Sequence, residues 1–213
     1  MPDLRHAPAD PARPAVGVAW TGASGLVYGV RLVDVLLHAG RDVDLVVSAA
    51  VAQTAPVELN HDVDGLVTRL AAMGPGRLRV FDQRDFSAPL ASGSARGGPY
   101  VIIPCSMGTV GRIAAGTSET LLLRAADVCL KERRRLILVP RETPLATHHL
   151  ENLARLSALG ALILPAMPGF YQRPESPGDL VDFIVQRVCD HLGVTVDLVR
   201  RWGEPDPPGP EPI

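Results

Sequence analysis

The sequence is poor in aromatic side chains and in long apolar runs, and each shortage narrows the class of protein. Phe, Trp and Tyr make up 4% of the 213 residues, whereas 46% of all residues are hydrophobic, so aliphatic side chains must build the core. A chain of this length and composition predicts one sizeable core and a single globular domain. No run approaches ~18 consecutive apolar residues, and residues 1–14 lack the apolar centre of a signal peptide. We therefore expect neither membrane insertion nor export.

The chain also has few cysteines and a small net charge. Three cysteines form no Cys-x-x-Cys pair and cannot all pair within the chain, which favours a reducing compartment, and we expect a cytoplasmic protein. The formal net charge of -2 provides no general attraction for nucleic acid or an anionic membrane, so neither is an expected partner. His, Cys and carboxylate residues do not recur at the spacing of metal ligands, so no metal is expected.

Short aliphatic runs alternate with helical patterns along the chain. Such runs are typical of a parallel sheet covered by helices on both faces, which predicts an α/β, Rossmann-like doubly wound sheet in three α/β/α layers. We expect a single domain over residues 15–203, a disordered extension over 1–14 and a Pro-rich tail over 204–213. Predicted strands cover 15–20, 43–48, 79–81, 100–104, 136–140 and 161–165, and predicted helices cover 26–38, 119–132, 148–159 and 177–192.

Hydroxyls and glycines follow two of the predicted strands. Residues 21–25, Thr-Gly-Ala-Ser-Gly, lack the third glycine of a dinucleotide fingerprint and any Walker lysine, so alone they fit a tight turn with Ser24 as helix N-cap equally well. Residues 106–109 place hydroxyls and backbone N–H groups at the positive end of a following helix, which suits an anion. Nearby cations, which a merely structural turn would not need, add to this pattern: Arg124, Lys131 and Arg141. We expect a phosphorylated ligand at the carboxyl ends of the strands.

Taken together, these motifs resemble the UbiX-like flavin prenyltransferases. The matching segments lie between residues 16 and 202 and are 21–25 with Tyr28, 104–109, 124–128, 130–134, 140–144, 149–152 and 168–171. The resemblance implies a flavodoxin-like fold, non-covalently bound FMN, and metal-independent transfer of a dimethylallyl group from dimethylallyl (mono)phosphate to N5 and C6 of reduced FMN. It also implies a homo-oligomer, commonly a dodecamer, with the site at a subunit interface, and a partner UbiD-like decarboxylase that receives the prenylated FMN.

The resemblance also assigns residues. FMN contacts fall on Gly22, Ala23, Ser24, Ser48, Ser106, Met107, Gly108, Thr109 and Arg141, and dimethylallyl phosphate contacts fall on Arg124, Lys131, Tyr171 and Arg187. Three residues on the matching motifs have catalytic roles: Ser24 orients the N5 proton and the phosphate, Lys131 stabilises the leaving phosphate, and Glu142 accepts the C6 proton. The phosphate itself is a second candidate for that proton. One departure is Ala49, which stands where the family usually has a lysine.

Two other functions of the chain stay open. An FMN-dependent cysteine-type decarboxylase of the same fold would need a histidine in an early loop, for which His61 is the only candidate, and a Met-Asn dipeptide, which the sequence lacks. A non-catalytic FMN-binding subunit would need no cations for a second phosphate. Several singled-out residues also have a structural interpretation: Arg141 with Glu142 as a surface ion pair, Arg133 to Arg135 as a solvated helix end, Cys105 as a buried thiol, His148 and His149 as a helix cap, and 91–98 as a linker.

Overall fold

The computed structural model describes residues 14–203, and the strands in this range form one parallel six-stranded sheet. The spatial order is β3-β2-β1-β4-β5-β6, and every neighbouring pair is parallel. The predicted doubly wound α/β class is therefore confirmed, whereas the predicted disorder of the two chain ends concerns residues outside the described range, except Pro14. The strands are β1 Val16–Trp20, β2 Val43–Val47, β3 Leu78–Phe81, β4 Tyr100–Cys105, β5 Leu136–Pro140 and β6 Leu162–Ile163.

Helices cover both faces of the sheet and complete the three expected layers. Side chains of α1, α2, α3 and α7 share one core cluster, and side chains of α4, α5 and α6 share the other. Alternate residues of each strand enter opposite clusters: Val18 of β1 packs in the first and Ala19 in the second. This is why the strands read as continuous aliphatic runs. The helices are α1 Leu26–His38, α2 Val51–Leu59, α3 Val63–Ala71, α4 Met107–Ala114, α5 Leu121–Lys131, α6 Thr147–Ala158 and α7 Pro177–Leu192.

The strand order reverses between β1 and β4. The chain runs outward from β1 to β3 and then returns to place β4 on the other side of β1. The Thr21 hydroxyl joins the carboxyl ends of these strands, because it donates to the Pro104 carbonyl at 2.7 Å and accepts from the Ser106 N–H at 3.0 Å. Loops diverge from such a switch point and leave a crevice for a ligand.

Two predictions about the elements need correction. The last strand is shorter than expected, since β6 contains only two residues, and both are half-buried rather than buried because β6 lies at the sheet edge. No helix was predicted between the second and third strands, yet both α2 and α3 lie there. No helix in the described part of the chain is long and apolar enough to cross a membrane.

Candidate active site

A cleft of about 370 Å³ opens at the carboxyl ends of β1, β2 and β4. The predicted cofactor residues Gly22, Ser48, Ser106 and Thr109 line it together. Its other lining residues are Thr21, Ala50, Gln83, Arg112, Glu119, Thr120, Leu122 and Leu123. The fold therefore gathers hydroxyls from three separate strand ends around one space.

The turn between β1 and α1 forms one wall of the cleft. Gly22 is required there, because a Cβ atom at this position would lie 2.5 Å from the Cβ of Ala50. Gly25 has a φ of +101° and is the N-cap of α1, so the alternative interpretation of Ser24 as the N-cap is wrong. Ser24 is exposed at the edge of this turn, and its neighbour Ala23 is buried.

A carboxylate that the sequence did not indicate caps α1. Glu58 Oε2 accepts hydrogen bonds from the backbone N–H groups of Gly25 at 2.9 Å and Leu26 at 2.8 Å. Because these groups already bind an internal carboxylate, the positive end of α1 is less available to an anionic ligand. Glu58 lies 33 residues from Gly25 in the sequence, in a segment for which no helix was predicted, so no local signal could have revealed it.

Two other helices start at the cleft. Ser106 caps α4, since its Oγ accepts from the Thr109 N–H at 3.3 Å, and it also lies 2.9 Å from the Thr109 hydroxyl. Thr120 caps α5 by accepting from the Leu123 N–H at 3.3 Å. Met107 and the exposed Gly108 form the first turn of α4. The positive ends of α4 and α5 therefore meet in the cleft, where they favour an anion.

Ser48 carries a buried hydroxyl that lacks a protein partner. Its Oγ makes no hydrogen bond, although its backbone N–H donates to the Trp20 carbonyl at 3.0 Å. A buried hydroxyl without a protein partner needs one from solvent or from a bound molecule. Since Ser48 lines the cleft, the residues present fit a polar ligand such as the phosphorylated flavin that the sequence predicts.

The segment after β5 brings two more predicted residues to the same edge of the sheet. Arg141 Nε donates to the Ser24 carbonyl at 2.9 Å, and Glu142 Oε1 accepts from the Thr143 N–H at 3.1 Å. Both residues line a small cavity of about 80 Å³ next to Met167. Burial raises the pKa of the Tyr28 phenol, and the charge of Arg141 nearby opposes that shift. Arg141 thus links the β5 end to the turn that follows β1.

The predicted cations of α5 are separated along the helix. Arg124 lies in the first turn of α5, next to Leu123 in the sequence, but does not itself line the cleft, and its Nη1 lies 3.5 Å from Asp127 Oδ2. Lys131 is the last residue of α5 and pairs with Glu132. Because an α-helix rises 1.5 Å per residue, Lys131 lies about 15 Å from the start of α5 and faces the amino ends of the strands. Within one chain Lys131 does not line the cleft.

Two predicted substrate residues lie on another surface of the molecule, Arg187 on α7 and Tyr171 in the loop before it. The Tyr171 ring makes edge contacts with Phe183 at 5.9 Å and with Trp202 at 5.1 Å between centroids. Arg187 follows Phe183 by one helical turn and donates to Asp190 Oδ2 at 2.7 Å. Neither residue lines the cleft of its own chain. The predicted substrate residues are therefore not brought together by a single copy of the protein.

Several structural interpretations are supported by the contacts. Cys105 is fully buried, and burial raises the pKa of its thiol well above the ordinary value, so it stays protonated at neutral pH. His149 Nδ1 accepts from the Ala146 N–H at 3.2 Å, which is a helix cap. Arg134 is half-buried and donates to the carbonyls of Gly93 and Ala95, so it anchors the 91–98 segment and, unlike the exposed Arg133 and Arg135, does not fit the solvated helix end. His61 contacts Arg69 and does not line the cleft. Residues 14–203 contain no group of three or more His, Cys, Asp or Glu placed to hold a metal ion.

These features define a doubly wound α/β protein with the 3-2-1-4-5-6 strand order of the Rossmann fold and a polar cleft at its topological switch point. Residues 5–189 match the family model described as Flavoprotein. The sequence is 46% identical over 196 residues to the flavin prenyltransferase UbiX of Pseudomonas aeruginosa, an alignment that covers 89% of this chain and 94% of that relative. The chain belongs to the UbiX flavin prenyltransferase family of flavoproteins.

Solved structures agree in fold. AnUbiX (PadA1), crystallised in complex with FMN and dimethylallyl pyrophosphate, has a TM-score of 0.84 and 36% identity, and the match covers 91% of this chain and all of that one. A dodecameric FMN-dependent UbiX-like decarboxylase from Escherichia coli O157:H7 has a TM-score of 0.82 and 39% identity, covering 89% and 100%. The FMN-dependent cysteine decarboxylase TvaF reaches a TM-score of 0.53 at 16% identity over 70% and 88% of the two chains, which shows a shared fold alone.

Proposed function

We propose that this protein is a flavin prenyltransferase that joins a dimethylallyl group from dimethylallyl phosphate to N5 and C6 of reduced FMN. The observation that carries the proposal is the cleft, which is lined both by Ser48, whose hydroxyl has no protein partner, and by the first residues of α4 and α5. The protein's membership of the UbiX family supports FMN and a dimethylallyl phosphate as its ligands, and so does the complex of AnUbiX with FMN and dimethylallyl pyrophosphate.

The flavin phosphate and ribityl chain are assigned to the hydroxyls and N–H groups of the cleft. Gly22, Ala23 and Ser24 would contact the cofactor from the first turn, Ser48 from the end of β2, and residues 106–109 from the start of α4. Arg141, held against the Ser24 carbonyl, is suited to hydrogen-bond the carbonyl edge of the flavin ring. Reduced flavin supplies the nucleophilic N5 nitrogen when it is bound.

Cations lower the barrier to departure of phosphate by stabilising the developing anion, so no metal is required. We assign this role to Arg124, Lys131 and Arg187, with Tyr171 as a further phosphate contact. Since one chain keeps these residues on separate surfaces, a neighbouring copy must supply those that do not reach the cleft. We therefore propose a homo-oligomer, and the dodecameric relative favours that size. Light scattering at micromolar concentration would contradict the proposal if it detected only monomers.

Ring closure requires a base for the C6 proton. Glu142 follows β5 at the same sheet edge as the cleft and is half-buried, so we assign it this role. Ser24 is assigned to orient the N5 proton and the substrate phosphate, and the released phosphate is the alternative proton acceptor. The prenylated FMN would then pass to a UbiD-like decarboxylase, in the cytoplasm.

The test is anaerobic incubation of the protein with reduced FMN and dimethylallyl phosphate, or with the pyrophosphate in a parallel arm, followed by mass spectrometry of the released flavin. We expect a flavin heavier by one C5H8 unit, and a matched reaction with oxidised FMN should give none. Bound FMN of unchanged mass would instead indicate a non-catalytic FMN-binding subunit. Carbon dioxide release from a peptide with a C-terminal cysteine would indicate the cysteine-type decarboxylase.

A further inference from the structure

Arg112 has no place in the assignments above, yet it is the only cationic residue among the described residues that line the cleft. It lies on α4, one helical turn after Gly108, and its Nη1 donates to the Gly108 carbonyl at 3.2 Å. Its Nε lies 3.4 Å from Glu119 Oε1. A guanidinium therefore stands at the cleft beside a carboxylate that lines the same space.

The pair of Arg112 and Glu119 is weak. The two side chains are 56% and 61% exposed, and their separation exceeds the 2.7–2.9 Å typical of charge-assisted hydrogen bonds. Ion pairs this exposed contribute little to stability because water and salt screen them. The Arg112 side chain can therefore exchange Glu119 for a stronger partner without a large loss of folding free energy.

The rest of the cleft indicates what that partner is. Glu58 already occupies the first N–H groups of α1, which leaves the positive ends of α4 and α5 for an anion. Arg112 lies on the α4 side of that space. Arginine binds phosphate oxygens in a bidentate manner, whereas an unopposed Glu119 carboxylate would repel a phosphate dianion. A phosphate monoester in the cleft would thus attract Arg112 away from Glu119.

We propose that Arg112 binds the phosphate of the flavin nucleotide in this cleft and so determines specificity for FMN over unphosphorylated riboflavin. The inference rests on the proposed function in one respect, that the cleft holds a flavin. The ligand chemistry is a phosphate monoester, which dimethylallyl phosphate also carries, so the experiment must separate the two sources.

The experiment titrates Arg112→Gln, Arg112→Lys and Glu119→Gln with FMN, riboflavin and dimethylallyl phosphate by calorimetry, at low and high salt. We expect Arg112→Gln to weaken FMN binding by roughly 10- to 100-fold, the usual effect of losing a hydrogen bond to a charged group, and to leave riboflavin binding within about 2-fold. Arg112→Lys should restore part of the affinity, and Glu119→Gln should tighten FMN binding. Arg155→Gln, an exposed substitution on α6, is the matched control.

Three outcomes would overturn the inference. Equal loss of FMN and riboflavin affinity in Arg112→Gln would mean that the side chain only shapes the cleft. If Arg112→Gln lost affinity for dimethylallyl phosphate but kept its FMN affinity, Arg112 would bind the substrate phosphate instead. If neither affinity changed, Arg112 would bind neither ligand. Thermal unfolding of each variant without ligand checks its folding. If the wild type binds FMN with this selectivity but makes no prenylated flavin, the proposed activity fails and the role of Arg112 stands.

Discussion

Among single residues, two hydroxyls of the cleft differ in what they contribute to folding. Thr21 makes two hydrogen bonds to the end of β4 and its loop, whereas Ser48 makes none through its Oγ. The Thr21 hydroxyl therefore stabilises the fold by joining the carboxyl ends of β1 and β4. The Ser48 hydroxyl is free of protein partners, so it is available to a polar molecule bound in the cleft.

Substitutions at these two positions should therefore act in opposite ways. Thr21→Val, which leaves the Ser106 N–H and the Pro104 carbonyl without their partner, should lower the free energy of unfolding by about 1–3 kcal/mol. Ser48→Ala should leave stability unchanged or slightly higher, yet weaken FMN binding by roughly 5- to 10-fold. Urea denaturation and FMN titration of both variants measure these effects. A stability loss in Ser48→Ala as large as that in Thr21→Val would contradict the assignment.

Glu142 is the residue on which the proton transfer depends in our proposal. Glu142→Gln keeps the size and hydrogen-bonding capacity of the side chain but cannot accept a proton, so the finished four-ring flavin should form about 10²- to 10⁴-fold more slowly. FMN affinity should not change. The absorption spectrum of the flavin over time measures the rate, and Glu151→Gln, an exposed change on α6, is the control. A normal rate in Glu142→Gln would assign the proton to phosphate or water.

At the scale of elements, the outcome of sequence-based prediction depended on how local the signal was. The bounds of α1, β5 and α7 are those predicted, because each has a clear apolar pattern and a clear start or end. The pattern of α2 is interrupted by Pro56, which removes a helical hydrogen bond, and α3 is short and contains Gly65. β6 lies at the sheet edge, where pairing and not apolar content decides its length.

In the candidate site, too, residues with a local sequence signal were predicted and residues without one were missed. The resemblance assigned Ser48, Ser106 and Arg141, which directly follow strands, and the sheet brings them to one edge because its strands are parallel. Glu58 and Arg112 lie inside helices, and only the packing of those helices brings them to the cleft region. The resemblance supplied roles for Lys131 and Arg187, but a sequence does not state which copy of a chain supplies a side chain.

The cap of α1 gives a test at this scale. Since Gly25 has no side chain to accept the first N–H groups of α1, Glu58→Ala should leave two of them without their protein partner and lower the free energy of unfolding by about 1–2 kcal/mol. Glu58→Gln retains an amide oxygen and should recover part of the loss. Urea denaturation distinguishes these variants, with Glu151→Ala as control. Equal stability of Glu58→Ala and the wild type would show that water replaces the carboxylate without cost.

At the scale of the whole molecule, apolar side chains are exposed next to the predicted substrate residues. Met167, Phe170 and Trp202 are 65%, 69% and 81% exposed, and Trp202 contacts Tyr171. Clustered exposed apolar groups are typical of protein interfaces. The cluster supports packing of this face, with Arg201 and Trp202, against a neighbouring copy of the chain. Such packing would place Tyr171 near another copy.

If two copies of the chain build one active site, two inactive variants can complement each other in a mixed oligomer. Lys131→Ala removes a charge that stabilises the leaving phosphate and should slow prenylation by about 10²- to 10³-fold, and Glu142→Gln removes the base. If the two residues serve a site from different copies, co-expression of the two variants should restore activity to roughly a quarter of wild type when subunits assort at random. The control pairs Glu142→Gln with Arg141→Ala, because both residues lie on one loop of one chain, and it should restore nothing. Mixed oligomers of Lys131→Ala and Glu142→Gln that stay as slow as either parent would place both residues in the site of a single chain.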